Sequence, residues 1–174
     1  MNLALHRPYT VTPAPNYETA REDPGGLLTD GKGSSWWCWR NGTALGWSWR
    51  TPVTVTIDLE KPVAVSRVRV TAGAKRSGEG YYPSQILAYG RDAEGRYGFL
   101  GASSLQQDDE SPAAGTLRHF DIEFPPQVVK EIVTVAFARG AFIWLSEIEA
   151  FATGDTAVAT LAERLPVTDD LLTD

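Results

Sequence analysis

Three groups of residues carry side chains able to do chemistry. Glu147 and Glu149 stand two apart in residues 142–152, a run apolar enough to be a buried strand. On a strand they share a face about 7 Å apart, which overlaps the spacing of a glycosidase acid pair. No neighbour in sequence forces either carboxyl's pKa upward, so the pair is read as non-catalytic. His6 and His119 are far apart, and HExxH, GxSxG and P-loop signatures are all missing. The second group is LLTDGKGSSWWCWRNGTALGWSW, Leu27 to Trp49, with five of the six tryptophans and the single cysteine, Cys38. The third is AGAKRSGEGYY, Ala72 to Tyr82, basic, glycine-rich and ending in two tyrosines.

A flat indole suits the apolar C–H face of a sugar ring, and adjacent Arg and Asn side chains suit its hydroxyls. Trp39, Trp47 and Trp49 sit among Arg40, Asn41, Gly42, Thr43 and Gly46, a setting expected at an exposed loop tip. The alternative for them is core packing. Lys75 and Arg76 suit a sugar bearing carboxylate or sulfate, the guanidinium pairing bidentately; otherwise they form a solvated basic loop. A lone cysteine allows no intramolecular disulfide. Asn41-Gly42-Thr43 is formally a glycosylation sequon.

The elements that must position these groups are strands. Sixteen glycines and eleven prolines punctuate short apolar runs, the composition of a turn-rich all-β chain. Residues 52–59 alternate cleanly, with Val53, Val55, Ile57 and Leu59 on one face. Residues 65–71, 85–90, 97–100, 117–124, 132–139 and 142–152 follow as further strands, the last expected centrally, and 91–96 as a hairpin turn. With a broken entering strand over residues 2–12, about eight strands predict a jelly-roll β-sandwich. The 27–49 stretch shows no period and is expected as loop. A net charge of -6 argues against nucleic acid as a partner, and no apolar run is long enough for a membrane helix. The start lacks the apolar region of a signal peptide, so a module of a longer secreted chain is expected, with a cytoplasmic protein as the alternative. Residues 1–153 are expected as the domain. Residues 154–174 are expected as an acidic linker or tail, with a short helix over 156–165.

Several pieces, taken in order, resemble the discoidin family, the coagulation factor 5/8 type C domains of galactose-binding-like fold. They are Asn2-Leu3-Ala4-Leu5, Leu28-Thr29-Asp30-Gly31 before a tryptophan, and Val55-Thr56-Ile57-Asp58-Leu59 followed by Val65-Ser66-Arg67-Val68. Tyr82-Pro83-Ser84-Gln85-Ile86 and Leu145-Ser146-Glu147-Ile148-Glu149-Ala150-Phe151 complete the set. The resemblance spans residues 2–152 and implies a β-sandwich. In bacteria it also implies a non-catalytic carbohydrate-binding module, family 32-like, that holds an appended glycoside hydrolase or lyase on a polysaccharide. The other possibilities are an adhesion domain without sugar specificity and, further off, a small glycan hydrolase or lyase.

The resemblance implies glycan contacts from tip loops, here Trp39, Arg40, Trp47, Trp49, Lys75, Arg76, Tyr81 and Tyr82. It implies an inside position for Trp37, with Trp36 or Trp144 beside it. It does not carry over a galactose preference, because the His–Arg–Asn constellation is not evident. It also implies a structural Ca2+. Asp30 and Glu147 would give carboxylates, Ser35 a hydroxyl or carbonyl oxygen, and Leu27, Lys32 and Ser146 main-chain carbonyls. Calcium takes about six to eight hard oxygens from mixed sources. Lys32 departs from the usual Asn or Asp, and its ammonium must point away from the ion. Without a metal, Asp30 would cap a turn and Glu147 would be merely solvated.

Overall fold

The computed structural model describes residues 1–34, 37–74, 80–105 and 117–152. Among these there is no helix. The strands are β1 (Tyr9–Thr12), β2 (Leu45–Ser48), β3 (Val53–Gly73), β4 (Gln85–Arg91), β5 (Tyr97–Ser104), β6 (Leu117–Phe137) and β7 (Phe142–Phe151). All pairings are antiparallel, in the order β2-β7-β3-β6-β4-β5, with β1 on the outer edge of β3.

β3 and β6, each 21 residues long, hold the architecture together. They pair along nearly their whole length, with register shifts after Asp58 and after Val65. Val55 and Ile57 before the shifts, and Val68 and Val70 beyond them, are buried in one core cluster. The paired ribbon must therefore bend over itself, so that its two halves face each other across that core. The first half carries β1, β4 and β5, and the second carries β7 and β2. That is a β-sandwich built from one continuous sheet.

Among the described residues seven strands stand where about eight were expected, for two physical reasons. Residues 52–59 and 65–71 are halves of β3, and 117–124 and 132–139 are halves of β6; both corners stay within the strand, that of β3 with Glu60 at a φ of 68°. Conversely, β2 lies inside the stretch expected as loop, because Leu45 to Ser48 pair with β7. The central place expected for β7 holds, between β2 and β3. The tail and its expected helix lie outside the described residues.

Candidate functional site

The 27–34 turn is pinned onto β7 from both sides. Asp23 Oδ1 accepts the amides of Gly26 and Leu27 at 2.7 and 3.0 Å, and the Tyr9 hydroxyl donates to Asp23 Oδ2. The Ile148 amide donates to the Leu28 carbonyl at 2.7 Å, and the Gly31 amide to Glu147 Oε1 at 3.1 Å. Glu147 is thereby sealed under the turn, only 4% exposed. Its Oε2 has no hydrogen-bond partner among the described residues.

That burial pushes the Glu147 carboxyl up to about 7; the Gly31 and Gly33 amides oppose the rise, and the charges of Asp30 and Glu149 add to it. The sequence expectation that nothing raises this carboxyl is corrected, because the burying turn comes from more than a hundred residues away. Neither is Glu147 merely solvated. Such a carboxyl gains from a hard cation, which would neutralise it and occupy the orphaned oxygen. Asp30 lies alongside, its Oδ1 accepting the Lys32 amide at 2.9 Å. The Lys32 side chain is 82% exposed, and its Nζ lies 4.0 Å from Asp30 Oδ2, an ion pair that a cation bound at Asp30 would replace. No group of three or more His, Cys, Asp or Glu placed to hold a metal ion occurs among the described residues. The remaining donors to a metal would have to be neutral oxygens, which calcium accepts. Leu27 is half-buried at the start of the turn and Ser146 is buried beside Glu147; Ser35 lies outside the described residues.

The tryptophans divide differently from the expectation. Trp47 is fully buried on β2, its indole N–H donating to the Pro13 carbonyl at 2.7 Å. Trp39 is 2% exposed and packs on Trp144, ring centres 5.9 Å apart. Neither offers a face to a ligand, so the expected stacking role is corrected for both. Strand pairing turns Trp47 inward, and a tight turn at residues 37–40 drops Trp39 beneath its polar neighbours. Trp37, expected inside, is 43% exposed, with the Arg40 guanidinium 5.7 Å from its ring centre. Trp144 is buried as expected, and Trp36 lies outside the described residues. Trp49 is 78% exposed, the one indole of the proposed three that faces solvent.

Trp49 belongs to one end of the sandwich. Its amide donates to the Ala141 carbonyl at 2.7 Å, and the Ala138 amide to Thr51 Oγ1 at 3.0 Å, so the 138–141 turn lies against it. On that turn Arg139 stands 5.3 Å over the ring of Tyr81, which is 37% exposed. Trp37 and Arg40 join this end through the ring chain Trp37–Trp39–Trp144–Phe142. Tyr82 is 7% exposed within the core cluster, a correction: it packs into the core ahead of β4, while its neighbour Tyr81 stays partly exposed. Lys75 and Arg76 lie outside the described residues. Arg139 and Trp37 were missed. Arg139-Gly140, between two apolar runs, was a legible turn signal; nothing in the sequence marked Trp37 as exposed.

No family model and no curated protein matches the chain. Solved structures do. Chitosan-binding module 1 of a chitosanase/glucanase from Paenibacillus sp. IK-5 is similar at 16% identity and a TM-score of 0.55, over 87% of this chain and 99% of that one. A Streptococcus pneumoniae fucose binding module is similar at 18% and 0.57, over 88% and 96%. CpGH89CBM32-5 from Clostridium perfringens, solved with GalNAc-β-1,3-galactose, is similar at 16% and 0.59, over 84% and 96%. The fold is the discoidin-like β-sandwich. In this chain the discoidin-like fold brings Trp49, Tyr81 and Arg139 to one end and seals Glu147 beneath the Asp30 turn.

Proposed function

We propose that this is a non-catalytic carbohydrate-binding module, carried in a longer secreted chain, that holds an attached carbohydrate-active enzyme on a polysaccharide. The observation that carries this reading is Trp49. A large indole left 78% exposed at a sandwich end that also presents Tyr81 and Arg139 is the apolar platform with polar neighbours that sugar rings recognise. The likeness to modules whose names state chitosan and fucose binding supports it. Tethering raises effective concentration and requires no chemistry of the module itself.

A Ca2+ between the Asp30 turn and β7 completes the proposal. The Asp30 and Glu147 carboxylates would hold it, with carbonyls of Leu27, Lys32 and Ser146 and an oxygen of Ser35. When bound it would supply charge to the buried Glu147 carboxyl and fix the turn in place. The test is retention of the protein on immobilised polysaccharides, for the natural chain and Trp49→Ala. A tenfold or greater loss on the retaining glycan, with unchanged melting, supports the reading. Equal retention of both proteins refutes the Trp49 platform.

A further inference from the structure

A second constellation lies at the opposite end of the first half of β3 from Trp49. Asp58, Glu131, Arg91 and Tyr97 stand in register across four neighbouring strands, β3, β6, β4 and β5. The core-facing residues of β3 are Val55 and Ile57, so Asp58 and this row lie on the outer face of the sheet. With Pro8, Tyr9, Thr10 and Thr56 they line a groove of about 440 Å³, a size that accepts a small ligand. Asp58 stands five positions along β3 from Val53, about 17 Å along the sheet, so this groove is not part of the Trp49 end.

The groove's charge is uneven. Arg91 Nη1 donates to both oxygens of Glu131 at 3.1 and 3.3 Å, and Arg91 Nε donates to the Gly95 carbonyl at 3.3 Å. The guanidinium lies 5.3 Å from the Tyr97 ring centre, so one ion pair also sets the ring's position. Asp58 has no cationic partner among the described residues; its Oδ1 accepts the Glu60 amide at 2.7 Å. The groove therefore combines a braced aromatic ring, two hydroxyls and one carboxylate whose charge is not balanced by a cation. Ring and hydroxyls suit a pyranose, and the surplus negative charge favours a cationic ligand over an anionic one.

We infer that this groove is a second glycan site, selective for pyranose oligomers that carry protonated amino groups. Tyr97 gives the stacking face, Asp58 pairs the ammonium, and Thr10 and Thr56 meet ring hydroxyls. The inference is independent of the proposal for Trp49.

The test is an amide-resolved NMR titration of the full chain with three trimers: glucosamine, glucose and galacturonic acid. Shifts at the amides of Thr56, Asp58, Arg91 and Tyr97 are expected with the glucosamine trimer, at an affinity at least tenfold above that for the uronate. Asp58→Asn, which keeps an acceptor for the Glu60 amide, should remove most of that preference while leaving glucose binding in place. Tyr97→Ala should abolish shifts in the groove but leave any at Trp49. Equal binding of amino sugar and uronate overturns the inference, as do shifts confined to the Trp49 end. So does a lysine peptide that shifts these amides when no sugar does.

Discussion

Replacing Trp47 and Trp49 by alanine, one at a time, should give opposite phenotypes although the two residues are only two apart. Trp47 is fully buried and donates its indole N–H to Pro13. Truncating a buried tryptophan costs about 3–5 kcal/mol through lost transfer energy and the cavity left behind. The hydrogen bond to Pro13 is part-buried, so water can replace the lost donor and the bond adds little. For a domain of this size about 1 kcal/mol moves the melting temperature by about 2–4 °C, so Trp47→Ala should melt roughly 6–20 °C lower. Trp49, 78% exposed, should change stability by no more than about 0.5 kcal/mol. Circular dichroism melts of the three proteins, with glycan retention on the same samples, make the comparison. A Trp47→Ala protein that melts normally but loses glycan binding would refute the assignment of Trp47 to the core.

Other consequences are open to measurement. Chelation should lower the melting temperature by roughly 5–10 °C from a state holding calcium at about 100 times its Kd, and Glu147→Gln should abolish that difference; identical melts of the natural chain with and without chelator would remove the metal. Burial pushes the Cys38 thiol up to about 12, so at pH 8 a maleimide should react with the unfolded protein and not the native one. A Cβ at Gly73 would collide with Cys38 Sγ: Gly73→Ala should destabilise the fold, and Cys38→Ala in the same chain should recover part of the loss. Asp92 is buried, which alone would raise its carboxyl. Hydrogen bonds from the Arg96 amide and guanidinium and the Glu94 amide outweigh that and hold it below the usual range. A depressed carboxyl contributes stability above its unfolded pKa of about 3.9 and loses it as pH falls through the folded value. Asp92→Asn should therefore flatten acid unfolding below about pH 4, and an unchanged acid limb would contradict this role.

The strands were legible wherever alternation was strong, as in Val53 to Leu59 and Phe120 to Phe124, because a helix, with its period of 3.6, cannot place every second residue on one face. The corners of β3 and β6 were not. Each half alternates by itself, and nothing around Pro62 or Pro125-Pro126 says that the strand pairing runs on through them. The Asp30–Glu147 juxtaposition was reachable only through family resemblance, since the two stand 117 positions apart and local sequence carries no trace of the contact. The aromatic stretch misled for a physical reason. Polar neighbours mark a segment as near the surface, but which way an indole turns depends on the strand it pairs with. For Trp47 that partner is β7, nearly a hundred residues later.

The most direct test of the central claim is retention of the purified chain, with calcium, on neutral, amino-sugar, uronate and sulfated polysaccharides, with released oligosaccharide assayed in parallel. The account predicts retention on at least one class, no released product, and loss of retention in Trp49→Ala. Release of oligosaccharide would contradict the non-catalytic assignment, and retention on none would contradict glycan binding itself.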